Sequence, residues 1–430
     1  MGVIVWLIAF VAFFAMGYPV AFGMFISSTI YLLISGLDLS ILMDEMVIKF
    51  ENMFVLLAVP LFIFTAKVMN AGKITDRVFD FAKTIIGPLK GGLGHVNIVA
   101  SIIFAGMTGS EIADVAGIGA IEIKAMKDAG YDGPFSCAVT CASATIGPII
   151  PPSIPMVLYS MLSGASLGYL FLGGFIPGLI LGGVLMILVY ILSVKRNYPS
   201  GEKVSFRDFI RSFGKSFFAL MAPVILLGGI YGGIFTATEA AGIVSVYALI
   251  LCLIVYRTIG LKALYKILVD TAVTTGYVSI LVPASFIFGY VVAREEIPAV
   301  VTSTFINLGL MANKWTVLLA LNGLFLILGC FISVSPILLI IVPIVLPLVE
   351  AAGIDLVHFG VVAVFNLMIA LDTPPYGPTL FITSAMSKTP LPDVMKEMLI
   401  FIAFEIIALM IVTFIPETVL WLPRLAGYQG

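Results

Sequence analysis

The amino-acid sequence predicts an all-α, polytopic membrane protein built from two copies of one structural unit. Of its 430 residues, 61% are hydrophobic and only 11% are charged, whereas soluble domains carry about 25% charged residues. The apolar residues form long runs, such as 157–194 and 318–348, and a bilayer crossing needs about 20 of them in a helix. Prolines and glycines recur in both halves at a constant spacing, which indicates an internal duplication.

The duplication is seen when the chain is aligned with itself at an offset of 223 residues. The matching pairs are Pro60 and Pro283, Gly106 and Gly329, Ser110 and Ser333, Asp132 and Asp355, Pro151-Pro152 and Pro374-Pro375, and Pro155 and Pro378. Apolar composition alone does not favour paired prolines in register. We therefore expect each special conformation in the first half to have a counterpart in the second.

The repeats define the predicted domains. The first, 1–200, contains scaffold helices within 1–72, an interfacial arm at 73–90, a re-entrant hairpin at 93–127, a discontinuous helix at 134–163 and a helix at 168–194. A cytoplasmic amphipathic linker follows at 201–215. The second, 216–430, contains scaffold helices within 216–292, a hairpin at 315–349, a discontinuous helix at 357–386 and a helix at 396–422. For the arm and the linker, an ordinary basic loop is an equally good interpretation.

The orientation follows from the hairpins and the basic residues. Five crossings separate the two hairpins, and this odd number places the repeats in opposite orientation. Most lysines and arginines then fall on one side, in the stretches 72–92, 124–133, 195–215, 257–268 and 387–396. The positive-inside rule makes that side cytoplasmic. We expect a multi-pass protein of the bacterial inner membrane, with a retained first helix and both termini in the periplasm.

Each hairpin is interrupted by small and hydroxylated residues. They are Gly106, Thr108, Gly109 and Ser110 in the first hairpin, and Gly329, Ser333 and Ser335 in the second. Broken helices free carbonyl oxygens that suit Na⁺, and free amide groups at a positive helix end that suit an anionic substrate. A kink that serves only packing is the alternative, and the recurrence of the break in both halves argues against it.

Each discontinuous helix contains tandem prolines, which cannot lie in an unbroken helix. The candidate residues are Ser143, Thr145, Gly147, Pro151, Pro152 and Ser153 in the first, and Asn366, Asp372, Thr373, Pro374, Pro375 and Gly377 in the second. Interrupted segments at matching positions indicate a transporter binding site. Asp372 is a functional candidate because it is ionisable and within a membrane segment; the alternative is a helix cap exposed to water.

Glu111 and Asp114 follow the first hairpin tip, and either an ion path or a helix N-terminus accounts for them. Cys137, Cys141, Cys252 and Cys330 lie in apolar segments and are interpreted as packing residues. Neither His95 nor His358 has a metal-ligand partner nearby in sequence. We therefore expect no transition metal, organic cofactor, ATPase or nucleic acid, and no enzymatic activity. We expect the chain to lie in the lipid bilayer and to draw its energy from an ion gradient.

Several segments resemble the large permease subunit of TRAP (tripartite ATP-independent periplasmic) transporters. They are FAGMTGSEIADVAGIGAI, IGPIIPPSIPMVLYSM, TATEAAG, GCFISVSPILLIIVPIVLP and TPPYGPTLF. The resemblance, which covers essentially the whole chain, implies an elevator-type carrier coupled to Na⁺. It also implies a small four-helix membrane subunit and a periplasmic substrate-binding protein as partners, and a sialic acid or C4-dicarboxylate as substrate.

This chain departs from the resemblance at two positions. Relatives often carry an acid where this chain has Ser333, and an apolar residue where it has Asp372. The hypothesis that follows is that Asp372 serves an ion site near Ser333.

Two other functions remain open at the level of the sequence. A stand-alone divalent-anion/Na⁺ symporter of the same fold would need no binding protein. An ion channel is less favoured, because the interrupted hairpins are typical of carriers.

Overall fold

A computed structural model shows a helical protein, as the sequence predicts. The structure describes residues 2–51, 53–86, 88–201 and 204–430. Within these ranges the regular structure is helical, apart from one isolated β-bridge between Lys90 and Ser200. Two residues of the predicted linker, Glu202 and Lys203, lie outside the described residues.

The first 71 residues form an N-terminal group of helices. These are α1 (Gly2–Ala15), α2 (Val20–Ile34), α3 (Ser40–Met43), a π-helical segment (Asp44–Ile48), α4 (Lys49–Glu51), a 3₁₀ segment (Phe54–Leu57) and α5 (Ala58–Ala71). Trp6 in α1 is buried, and its ring lies 4.5 Å from that of Phe288 in the second half of the chain.

The hairpin and the discontinuous helix of the first half follow. The elements are α6 (Ile74–Ile86), α7 (Gly92–Thr108), α8 (Glu111–Asp114), a π-helical segment (Val115–Gly119), α9 (Ala120–Asp128), α10 (Gly133–Ala144), α11 (Ile154–Ser163) and α12 (Leu167–Lys195). Helix α7 packs against α8 and α9, and α10 packs against α7 and α9. We call residues 92–128 hairpin 1, and α10 with α11 broken helix 1.

The second half begins with three long helices and continues through the same kinds of element. The elements are α13 (Phe206–Tyr231), α14 (Ala237–Ile250) with a π-helical end (Leu251–Val255), α15 (Leu261–Arg294), α16 (Ile297–Asn307), a 3₁₀ segment (Leu310–Ala312), α17 (Lys314–Gly329), α18 (Val334–Ala351), α19 (Leu356–Leu371), α20 (Pro378–Ser387), α21 (Leu391–Phe414) and α22 (Glu417–Leu425). We call residues 314–351 hairpin 2, and α19 with α20 broken helix 2.

The boundaries differ from the sequence-based expectation at three places. The amphipathic segment predicted at 201–215 is not separate from the next crossing: from Phe206 it forms the first part of α13, where Ser205 caps the helix and Phe209 and Phe213 pack on Phe81 of α6. The helix predicted at 396–422 is two helices, since α21 ends before Pro416. Helix α16 was not expected; it lies 223 residues after α6, the predicted interfacial arm.

Apolar surface and helix length identify a multi-pass membrane protein. Seven helices of the described chain are long and apolar enough to cross a membrane. Large apolar side chains remain exposed along them, such as Leu261 and Tyr277 of α15 and Phe217 and Val224 of α13. Such exposure is costly in water and favourable in lipid.

The two halves meet through their broken helices. Helix α10 packs against α20 and α21, and α11 packs against α18 and α19. The Tyr159 hydroxyl of α11 donates a hydrogen bond of 2.7 Å to the Leu356 carbonyl of α19. Helix α12 packs beside these helices of both halves. A Cβ at its Gly174 would sit 2.2 Å from the Ile149 carbonyl oxygen.

This close approach gives a stability prediction. Gly174→Ala should lower the melting temperature of the detergent-purified protein, because overpacking against backbone costs about 1–3 kcal/mol. Gly183→Ala, also in α12, is the matched control, because no atom lies within 4 Å of its Cβ position. Equal melting temperatures for the two variants would contradict the tight packing of α12 on broken helix 1.

Candidate functional site

The tip of hairpin 1 is buried against broken helix 1. Helix α7 ends at Thr108, and Gly109 follows with a φ of 59°, a left-handed conformation that favours glycine. A Cβ at Gly109 would sit 2.3 Å from the carbonyl oxygen of Pro152. Ser110 then caps α8 by accepting a bond from the Ala113 amide at 3.5 Å. The backbone of the tip is therefore enclosed by protein.

The break in broken helix 1 spans Thr145–Ser153, and all of it is buried. Ser153 caps α11 by accepting a bond from the Met156 amide at 3.3 Å. The Cβ position of Gly147 lies 3.8 Å from the carbonyl carbon of Ser110 and 3.9 Å from an oxygen of Asp114. The two breaks of the first half thus lie side by side.

A buried chain of polar side chains ties α7 to α10. The Ser143 hydroxyl donates to Asn97 Oδ1 at 2.6 Å, and the Ser101 hydroxyl donates to Ser143 at 3.1 Å. The Asn97 amide donates to Thr140 at 2.7 Å. Ser143, a candidate on sequence grounds, therefore holds the hairpin to the broken helix.

The second half repeats this tie with different residues. Gly329 at the end of α17 packs on α19, where its Cβ position would lie 2.2 Å from Ala370 Cβ. The Asn366 amide donates to the backbone carbonyl and the side-chain oxygen of Asn322, each at 3.0 Å. Asn322 donates in turn to Thr413 of α21 at 3.0 Å.

The breaks of the second half are more open than those of the first. Ser333 occupies the position before α18, but its side chain makes no capping hydrogen bond. It is exposed, and Ser335 is half-buried. In broken helix 2, Pro375 and Tyr376 are exposed and Thr373 and Pro374 are half-buried, while Gly377 is buried. The site is closed around hairpin 1 and accessible around hairpin 2.

Asp372 is fully buried at the end of α19, so it is not a cap exposed to water. It accepts a hydrogen bond from the Thr379 hydroxyl of α20 across the break. Its carboxyl group lies close enough to that of Glu111 in hairpin 1 for the two to interact electrostatically. In the described part of the chain, no hydrogen bond joins Asp372 to Ser333.

Glu111, Asp372 and Glu405 form a buried carboxyl cluster where the two halves meet. Glu405 of α21 interacts electrostatically with Asp372 and Glu111, and accepts a 3.5 Å bond from Thr145. Both oxygens of Glu111 and one oxygen each of Asp372 and Glu405 have no hydrogen-bond partner among the described residues. None of the three carboxyl groups forms an ion pair with a described basic residue.

Two further buried carboxyl groups lie in hairpin 1. Asp114 and Glu122 are buried, lack hydrogen-bond partners among the described residues and act on each other electrostatically. Across the described chain, no three His, Cys, Asp or Glu side chains are grouped so that they could hold a metal ion by themselves. A cation here would have to take carbonyl and hydroxyl oxygens from the breaks as well.

The structure brings the tip of hairpin 1 and the break of broken helix 1 together and adds residues that were not predicted. Thr108, Gly109, Ser110 and the 145–153 break adjoin, whereas Gly106 packs on Pro223 of α13, 2.7 Å from its Cβ position. Glu405, Asn97 and Asn322 were not predicted. A signal for them existed, because polar side chains within apolar segments mark functional or packing contacts.

The fold and the site define a membrane transport protein. The structure is similar to that of the YdaH transporter from Alcanivorax borkumensis, with a TM-score of 0.65 at 13% identity over 87% of this chain and 88% of that one. At this identity the likeness establishes the fold alone.

The chain belongs to the family described as the tripartite ATP-independent periplasmic transporter, DctM component, which it matches over residues 7–418. It is 41% identical to the sialic acid TRAP transporter large permease protein SiaM of Vibrio cholerae, over 96% of both chains. It is 38% identical to the C4-dicarboxylate TRAP transporter large permease protein DctM of Pseudomonas aeruginosa, over 87% of both. The chain is a TRAP transporter large permease and not an enzyme, which confirms the resemblance seen in the sequence.

The carboxyl cluster gives a prediction. Glu111→Gln should raise the melting temperature in Na⁺-free buffer, because it removes like-charge repulsion on the order of 1–3 kcal/mol at an effective dielectric constant of about 20. Glu417→Gln, at an exposed carboxylate of α22, is the control and should not raise it. A marked fall for Glu111→Gln would show that the cluster is not repulsive.

Proposed function

We propose that this permease carries a small organic acid into the cell by Na⁺-coupled secondary active transport. The observation that carries the proposal is the cluster of Glu111, Asp372 and Glu405, which is buried between two helix breaks and has unpartnered oxygens. Buried charge without a counter-charge is strongly unfavourable. A bound Na⁺ would supply that counter-charge when the gradient drives it in.

The donor atoms around the cluster suit a hard monovalent cation. Hard cations take oxygen ligands such as carboxylates, backbone carbonyls and hydroxyls. Thr145 and Thr379 already direct hydroxyls at the carboxyl groups, and the breaks leave carbonyls outside the regular helical pattern. Half-helix ends of this kind coordinate coupling ions in other secondary transporters.

An elevator mechanism is the proposed form of motion. The two hairpins and the two broken helices would move as one transport domain, because buried hydrogen bonds of Ser143 and Asn366 tie each hairpin to its broken helix. The remaining helices would form the scaffold. Packing of α10, the first arm of one broken helix, on α20, the second arm of the other, supports inverted repeats, and the positive-inside rule assigns both termini to the periplasm.

Two partners are part of the proposal: a small four-helix membrane subunit and a periplasmic binding protein that delivers the substrate. Sialic acid and C4-dicarboxylates are the proposed substrate classes, since they are named for the two relatives above. Because those relatives are TRAP permeases, a stand-alone symporter is less favoured.

Uptake into liposomes tests the tripartite scheme. The liposomes should contain this chain and its small subunit, with an inward Na⁺ gradient and radiolabelled N-acetylneuraminate or succinate outside. We expect uptake only when the matching ligand-loaded binding protein is present. Uptake without it would assign the chain to the stand-alone symporters, and uptake unaffected by replacing Na⁺ with K⁺ would exclude Na⁺ coupling.

Asp372→Asn tests the ion site directly. Because the substitution removes one carboxylate ligand from the cluster, the Na⁺ concentration for half-maximal uptake should rise about tenfold or more, equivalent to a loss of about 1.4 kcal/mol. Asp80→Asn, at an exposed carboxylate of α6, is the control. An unchanged Na⁺ dependence in Asp372→Asn would remove Asp372 from the site.

A further inference from the structure

We propose that a basic groove in the scaffold, outside the carboxyl cluster, receives the carboxylate of the organic acid on its way to the cytoplasm. The groove has a volume of about 450 Å³ and lies between α5 and the first half of α15. Its polar lining consists of Lys67, Asn70, Lys266 and Asp270. Two lysines face one aspartate, so the groove carries a net positive charge.

Lys67 is the central group of this groove. It lies in α5, within a stretch that is apolar enough to cross a membrane. Its ammonium group donates to the Asp270 backbone carbonyl at 2.5 Å and to the Thr274 hydroxyl at 2.8 Å. Both acceptors are neutral, and an ammonium has three donors, so one N–H remains for an anion.

Neither lysine of the groove forms an ion pair with a described residue. Among the described residues, neither Lys67 nor Lys266 lies within 4.0 Å of a carboxylate oxygen, although Asp270 lines the same groove. A lysine in a membrane segment is costly, and such residues mark ion and substrate pathways. Packing does not explain Lys67, because its charged end reaches an open groove.

The groove borders hairpin 1. Asn70 lines the groove and also touches the hairpin, where a Cβ at Gly117 would lie 2.9 Å from the Asn70 side-chain nitrogen. Gly117 belongs to the arm that begins at Glu111, directly after the hairpin tip. The neighbouring Ala116 and Ala120 are exposed and small. The groove therefore adjoins the element that encloses the proposed site.

The position of the groove fits substrate release. Lys266 belongs to the 257–268 stretch, on the side where most basic residues lie, which the positive-inside rule makes cytoplasmic. Positive charge at a cleft raises the local concentration of anions. An anionic phospholipid headgroup presents similar oxygen atoms and is the competing source of the same chemistry.

The proposal rests on the proposed function, but a labelling experiment tests it without transport. The reporter is Ala71→Cys, at an exposed residue of the groove, in a Cys330→Ala background; Cys137, Cys141 and Cys252 are buried. The protein is placed in phosphatidylcholine nanodiscs. Rates of modification by an anionic and a cationic methanethiosulfonate reagent are compared.

Lys67→Gln and Lys266→Gln should each lower the anionic-to-cationic rate ratio roughly threefold or more, the effect of one unit charge nearby. Lys67→Arg should preserve the ratio, and Lys262→Gln, one turn from Lys266 but outside the groove lining, should change it less. Succinate or N-acetylneuraminate should slow the labelling, whereas uncharged sorbitol should not. Both lysine-to-glutamine variants should abolish this protection.

Two results would overturn the proposal. In one, neither acid slows the labelling and the lysine variants leave the rate ratio unchanged. In the other, only added phosphatidylglycerol protects the introduced thiol, which would assign the groove to lipid headgroups. Uptake by the wild-type transporter is measured in parallel: protection by the acids without Na⁺-driven uptake would support the groove while contradicting the proposed function.

Discussion

The structure depends on one constraint: a helix interrupted inside a membrane must have its freed backbone groups enclosed by protein. In lipid, each unsatisfied amide or carbonyl costs several kcal/mol. Here the tip of hairpin 1 lies against the break of broken helix 1, with the Gly109 backbone in contact with the Pro152 carbonyl. Because the two breaks shield each other, neither can be moved independently. The buried bonds of Ser143 and Asn366 extend this coupling along the helices.

The same constraint accounts for the buried acids. Breaks that face each other create a protected polar space, and Glu111, Asp372 and Glu405 enter it from three different elements. Hairpin 1 supplies the first, broken helix 2 the second and α21 the third. The cluster therefore joins the two halves of the chain, and any ion bound there would contact both halves at once. An ion at this position would help to hold hairpin 1 and broken helix 2 together as parts of the proposed transport domain.

Much of this could be predicted from the sequence, because proline and glycine control the backbone locally. The tandem prolines at 151–152 and 374–375 and the Gly109 break are visible without any tertiary information.

The partner of Asp372 was not predictable in this way. The sequence offered Ser333 as its neighbour, which stays a hypothesis, whereas the nearness of Glu111 and Glu405 depends on how the halves pack. Helix α16 was missed because its sequence lacks the basic residues that marked α6 as an interfacial arm. The start of α13 was misjudged because its apolar face is covered by Phe81, a contact far away in sequence.

In the proposed mechanism, a sodium ion neutralises the carboxyl cluster between the halves. Equilibrium binding of radioactive Na⁺ to the purified wild-type protein and to the Glu111→Gln/Asp372→Asn double variant tests it most directly. We expect saturable binding to the wild type that equimolar K⁺ does not displace, and fewer bound ions or a much weaker affinity in the double variant. Identical binding curves for the two proteins would contradict it.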